Sequence, residues 1–224
     1  MQGAFASSRD ASALAGDTGP AVGSGIRGVT EQLCSHICEF ALASLAGLVP
    51  CDRVAIATLD GSGSRLALRA VASRRPDRAI PRNYSGSLAR GSLTGVFAGG
   101  IPRIINDLEK YCSAAGSAST ALLVQDGYAA SLSCPLSYLG RDLGMLFFNS
   151  EQPEVYHSEH VEVIQRLGGE LGRVVYDVLN QRLGACRDSP RQAPRYFAFF
   201  SVGQAILEVN SNISPAWALA RRSP

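Results

Sequence analysis

The 224-residue chain has a single lysine, Lys110, a single tryptophan and three histidines. Its other basic residues are arginines, and basic residues number 21 against 19 acidic ones, a formal net charge of +2. So even a balance gives no overall field that would draw the chain to nucleic acid or an anionic membrane. There is no run of about 18 apolar residues, the length a membrane-spanning helix needs. The nearest candidate, YFAFFSVGQAIL at 196–207, is too short and runs into Glu208, Asn210 and Asn212. The six cysteines, Cys34, Cys38, Cys51, Cys112, Cys134 and Cys186, contain no C-x-x-C pair and no zinc-finger spacing. G-x-S-x-G, P-loop, H-E-x-x-H and H-x-E…P-C-x-x-C signatures are absent. Gly86, Gly91 and Gly95 lack the spacing of a dinucleotide-binding turn. These absences leave catalysis without a sequence signal, and a non-enzyme is expected.

Residues 1–25 are small, polar and rich in Gly, Ser and Ala, and Arg9, Asp10 and Asp17 interrupt any apolar core of a secretory signal. A disordered arm is expected there, and a cytoplasmic, reducing compartment with most thiols free. The whole chain is 46% hydrophobic and 18% charged, enough for a buried core.

Ile26, Val29, Leu33, Ile37, Phe40, Leu45 and Leu48 recur in steps of three and four up to Pro50, which predicts a helix over 26–48. VAIATLD (54–60) and RLALRAVAS (65–73) flank a Gly/Ser turn and predict a hairpin, with Leu66, Leu68, Ala70 and Ala72 on one buried side. Residues 74–100 carry seven Pro and Gly punctuators and read as loop, with a short helix near 85–97. Residues 102–105 read as a brief strand ended by Asn106-Asp107, and 108–124 as a loop with one or two helical turns. Strands at 129–139 and 143–150 flank a longer hairpin turn at Gly140-Arg141-Asp142, with Pro135 at an edge or bulge. Ser158 is placed to cap a long helix, with Glu159 and Glu162 in its first turn. That helix carries the stripe Val161, Ile164, Leu167, Leu171, Val174 and Val178, and Gly168 and Gly172 would let a partner helix come close. Residues 184–224 read as a linker and an ill-defined tail. The expected class is α+β with an antiparallel sheet.

Three constellations invite a chemical reading. Cys34-x-His36-x-Cys38 puts both cysteines on one helix face but turns His36 about 200° away, so packing is expected rather than a metal site. His157 and His160, among Glu154, Glu159 and Glu162, read as a solvated helix start rather than a metal site. Arg65, Arg69, Arg74, Arg75, Arg78, Arg82, Arg90 and Arg103 face only Asp77 in their span; with no aromatic interleaved among most of them and no helix-turn-helix or RNA motif, they read as an exposed basic rim, not a nucleic-acid surface.

The ordered set CDRVAIATLD, GSLTGVFAGGIPRIINDLEKY, GYAASLSCPLSYLGRDLGMLFFNSEQP and SEHVEVIQRLGGELGRVV, from Cys51 to Leu179, resembles a GAF domain. The resemblance covers about two thirds of the chain. It implies a sensory module of signalling proteins: a six-stranded antiparallel sheet, terminal helices on one face, and a small-molecule pocket on the other beneath the insert. It also implies a homodimer through those helices and an output domain or partner in trans. Physical reasoning reaches the same pocket. A sheet covered on one side by two helices leaves its other side to the Gly-rich segment 74–127, and loops over a rigid sheet are where ligand sites form. The candidate lining residues are Val96, Ile105, Asp107, Tyr111, Tyr128, Ser131 and Ser133, the apolar ones as walls, the hydroxyls and the carboxylate as polar contacts. Each can equally pack or cap a turn.

No subtype of the family is matched. The N-K-x(n)-F-x-x-x-D-E stretch of cyclic-nucleotide binders is missing, as are the Cys-His and Asp-x-Cys-Phe elements of bilin binders. The insert 74–127 has no histidine for haem or iron. The cofactor is left unspecified. The expectation is a non-enzymatic sensor that binds a small ligand and relays through its terminal helices. Two alternatives stand beside it: a thiol redox enzyme of the methionine-sulfoxide-reducing GAF type using Cys112 and Cys134, and a ligand-free dimerisation module.

Overall fold

In the computed structural model the apolar stripe Leu33, Cys34, Ile37, Cys38, Ala41 and Leu45 is buried along a helix, α1 (Val22–Leu45). The described residues are 22–184, apart from 46, 77, 78 and 90. The helix therefore begins inside the segment expected to be disordered; residues 1–21 and 185–224 lie outside the described ones. Phe40, placed on the stripe from spacing, is 39% exposed, because Cys38 and Ala41 take the inward positions on either side of it.

The strands follow as β1 (Arg53–Leu59), β2 (Arg65–Ser73), β3 (Ser85–Ser87), β4 (Arg103–Ile105), β5 (Ala130–Tyr138) and β6 (Arg141–Ser150). The remaining helices are α2 (Leu93–Gly99), α3 (Leu108–Ala115), α4 (Ala118–Gln125) and α5 (Ser158–Gly184). All strand pairings are antiparallel, in the order β3-β2-β1-β6-β5-β4. The fold is the α+β arrangement expected.

One face of the sheet is dry. Val54 and Ile56 of β1, Leu132, Cys134 and Leu136 of β5, and Leu146 and Phe148 of β6 meet α1 and the Ile164, Leu167, Leu171 and Val174 stripe of α5. Fully burying one such leucine contributes about 1.5–3 kcal/mol, so this layer fixes both helices on the sheet. Gly168 and Gly172 serve a different contact from the one expected. A Cβ on Gly168 would stand 2.5 Å from Cys134 Sγ, and one on Gly172 2.5 Å from the Ser137 carbonyl. They let β5, not a second helix, approach α5.

The β1–β2 hairpin also departs from expectation. Ile56 pairs with Ala70 but Ala57 pairs with Leu68, so Arg69 is an extra residue in β2. The bulge shifts the alternation by one residue. Ala70 and Ala72 stay on the helix side, whereas Leu66 and Leu68 turn to the opposite face, where Leu66 packs with Ala57, Val96 and Met145. The bulged Arg69 donates from Nε to Thr58 Oγ1 at 2.7 Å, on the helix side with Ala70.

The β5–β6 turn is tighter than the longer one expected: Leu139 and Gly140 alone connect the strands, at φ 50° and 72°. Two consecutive left-handed residues form the turn whose twist matches a hairpin. Pro135 lies beyond Ser133, where β4 stops pairing with β5, so its missing N–H falls on an open edge. The segment 108–124 is more regular than a loop. Asp107 caps α3 by accepting from Lys110 N, and Ser117 caps α4 by accepting from Thr120 N. At the start of α5 the bond shown is not from Ser158: His160 Nδ1, 3% exposed, accepts from His157 N at 2.9 Å. His160 is thus a buried cap rather than part of a solvated helix start.

Candidate functional site

Strand alternation decides what the second face carries. Paired residues share a face, so Ile105, Ser131, Asn149 and Arg53 form one row across β4, β5, β6 and β1. Arg103, Ser133, Phe147 and Ala55 form the next. Both rows look away from α1 and α5 and line a cavity of about 240 Å³. Its roof comes from the long insert: Ile80, Tyr84, Leu88, Ser92, Leu93, Leu108, Ser117, Thr120 and Leu123.

The roof is fastened by polar bonds at its joints. Asp126, at the end of α4, accepts from the backbone N–H groups of Ala79 (2.7 Å) and Ile80 (3.3 Å). Tyr111 of α3 donates to Ser92 Oγ at 2.8 Å, just ahead of α2. Gly127 holds φ +85° at the turn from α4 back toward β5. The insert is thus held over the sheet by these few bonds together with two small apolar clusters, one around Val96 and one around Leu108.

The floor carries an ordered polar chain. Arg53, 3% exposed, donates from Nη1 to Asn149 Oδ1 at 2.8 Å, and Asn149 Nδ2 donates to Ser131 Oγ at 3.0 Å. The Tyr128 ring lies 5.9 Å from the Arg53 guanidinium, within cation–π range. On the next row Arg103 donates from Nη1 to Ser92 Oγ and sits 5.8 Å from the Tyr111 ring. Burial pulls the Arg103 pKa below the ordinary guanidinium value, opposed by the Tyr111 hydroxyl, and an arginine stays charged regardless.

Of the candidates drawn from sequence, Ile105, Ser131 and Ser133 lie on the cavity wall. The other four surround it without lining it. Val96 packs under α2 against Ala57, Leu66 and Met145. Asp107 spends its carboxylate on the α3 cap. Tyr111 and Tyr128 pack with Ile105 and Leu108, and their rings stack toward the two arginines. Arg53, Arg103 and Asn149 are the residues that sequence reasoning missed. Their signal was parity: Arg53 alternates with buried Val54 and Ile56, so it had to face the other layer. The basic rim holds in part. Arg65, Arg74, Arg75 and Arg82 are exposed, Arg74 beside Asp52 at 3.6 Å and Arg75 beside Glu151 at 2.5 Å, whereas Arg69 and Arg103 are partly buried.

Two further chemistries find no assembled site. Cys134 packs on the helix face, Sγ 3.3 Å from the Ile164 carbonyl, and burial pushes its thiol up to about 12. Cys112 belongs to α3, beside the roof on the other side of the sheet, so the two thiols are not brought together. Cys34 and Cys38 are buried while His36 is exposed and bonded to the Gln32 carbonyl. Among the described residues no cluster of His, Cys, Asp and Glu could hold a metal ion, and no described helix is long and apolar enough to cross a membrane.

A family model described as GAF domain matches residues 26–175. The chain is similar to the blue-light absorbing form of the Thermosynechococcus elongatus PixJ GAF-domain: 15% identity, 77% of this chain and 100% of that one, TM-score 0.55. It is similar to the GAF domain of a two-component sensor histidine kinase from Bacillus halodurans: 13% identity, 66% and 95% covered, TM-score 0.54. It is also similar to a type II free methionine-R-sulfoxide reductase from Thermoplasma acidophilum: 14% identity, 68% and 95% covered, TM-score 0.50. At these identities the likeness is one of fold alone. No curated protein matches the chain.

Proposed function

We propose, from the premise that the chain belongs to the GAF domain family, whose members are sensory and regulatory modules, that it is a non-enzymatic sensor. A small molecule binds between the sheet and the roof, and the terminal helices carry the response to an output partner. The single observation that supports this is the cavity of about 240 Å³, which side chains leave unfilled although the opposite face is closely packed. A ligand-free packing module has no use for such a void, because an empty cavity costs stability in proportion to its size.

A route from site to helix supports the relay. Arg103 and Ile105 line the cavity on β4, and the next residue, Asn106, grips the segment leading into α5. Its Nδ2 donates to the Tyr156 carbonyl at 2.8 Å and its Oδ1 accepts from Tyr156 N at 3.0 Å. Tyr156 in turn meets the His160 ring edge-on, and His160 caps α5. A ligand that shifts β4 therefore pulls on the first turn of α5. A homodimer through α1 and α5, in the cytoplasm, completes the proposal; it would set two such helices side by side and convert their tilt into an output.

Native mass spectrometry of the purified chain tests binding and assembly together: a dimer mass and a retained small molecule are expected. Melting against a metabolite panel then identifies the class, because a ligand at 100 times its Kd adds about 2.7 kcal/mol. A chain that stays monomeric, retains nothing and is stabilised by no compound contradicts the sensor reading.

A further inference from the structure

We propose that the cavity takes a small organic anion with an apolar body, its charged end held by Arg103; this rests on the reading of the cavity as a ligand site.

Charge comes first. The described residues lining the cavity include two arginines, Arg53 and Arg103, and no aspartate or glutamate. The register brings both to the same face on neighbouring rows, three inter-strand spacings apart, or about 14 Å across the strands. Two guanidiniums in a partly desolvated chamber without a lining carboxylate favour an anion over a neutral or cationic guest.

The second observation says where the anion sits. Arg103 Nε is sealed from solvent and has no acceptor among the described residues. Its Nη1 is bonded to Ser92 Oγ, and the Tyr111 ring braces the guanidinium. A planar fork with an unused N–H suits an oxyanion, which accepts two parallel bonds from it once the side chain turns Nε, buried in this structure, toward the cavity. Arg53 is only 3% exposed and its Nη1 is held by Asn149, so it contributes field rather than the grip.

Size and surroundings supply the rest. A cavity of about 150 Å³ holds benzene, so about 240 Å³ has room for one ring or short branched chain plus a carboxylate. Ala57, Leu66, Leu68 and Phe147 give the apolar wall for that body. A carboxylate and a phosphate monoester share the oxyanion that Arg103 would bind, so both belong in the test.

The intact chain is titrated calorimetrically, at fixed ionic strength, with benzoate, phenylacetate and 3-phenylpropionate, with the three matching amides, and with phenyl phosphate. At least one anion is expected to bind tenfold or more tightly than its amide, and the better of carboxylate and phosphate names the oxyanion. In Arg103→Gln that preference disappears. Equal affinity for acid and amide in the unaltered chain would overturn the anion assignment while leaving the cavity a ligand site. Failure of every acid, amide and ester to bind at millimolar concentration would count against both. The acid–amide comparison needs no variant, so a poorly folding Arg103→Gln does not weaken it.

Discussion

At the residue scale, Gly144 and Gly168 mark where backbone must pass backbone or side chain with no room for a methyl group. A Cβ on Gly144 would stand 2.2 Å from the Ala57 carbonyl and 2.9 Å from Thr58 Cα, both main chain on the paired strand. On Gly168 the closest atom is the Cys134 Sγ. Gly144→Ala is therefore expected to cost about 3 kcal/mol or more, and Gly168→Ala about 1–3 kcal/mol, by chemical denaturation. Adding Cys134→Ala should recover part of the second loss and none of the first. The thiols make a separate prediction. Burial pushes Cys51 and Cys134 up to about 12, and Cys38 further above the usual value of 9.0. Below the unfolded value all three are protonated in both states and their contribution is complete. Above it the unfolded chain releases protons that the folded chain keeps, so stability falls from about pH 9 toward pH 12, by about 1.4 kcal/mol per pH unit for each thiol. Denaturation midpoints between pH 8 and 10.5 should show this slope, and Cys51→Ala should reduce it.

At the element scale, the β5–β6 hairpin carries a fault that can be repaired. Leu139 sits at φ 50° in the turn and is 71% exposed, so it adopts a left-handed conformation and buries little. Leu139→Asn keeps the turn and removes that cost; a gain of about 0.5–1 kcal/mol is expected in thermal melts, while Gly140→Val should destabilise. Both strands and the two terminal helices were legible in the sequence because each has a period of two or of three and four, and the brief β4 because Asn106-Asp107 ends it. The rest of the insert was not. Its helices α3 and α4 are eight residues each and held by Ser117 and Asp107 caps, too short for periodicity to stand out from a loop.

At the scale of the whole molecule, Asn106 is the one side chain described here that bonds the cavity strand to the entrance of α5. Asn106→Ala is expected to cost about 1–3 kcal/mol through the lost pair of bonds to Tyr156. Its more telling effect would be on communication. Hydrogen exchange in the first turns of α5 should respond to a cavity ligand in the unaltered chain and cease to respond in Asn106→Ala, with ligand affinity changed only a few-fold. A response that survives the substitution would place the relay elsewhere, for instance through β5, which also packs against α5.

The amino-acid order alone determined the layers: where strands alternate, where helices carry a stripe, and that a Gly-rich insert had to roof the sheet's second face. Those are local properties, readable wherever the period is long enough. Tertiary structure decided which side chains face the cavity. One bulge at Arg69 reverses the parity of Leu66 and Leu68, and the pairing of β4 with β5 is what sets Arg103 beside Ser133. Register joins residues far apart in the chain, and no local pattern specifies it, so the two arginines came together only once the sheet was assembled.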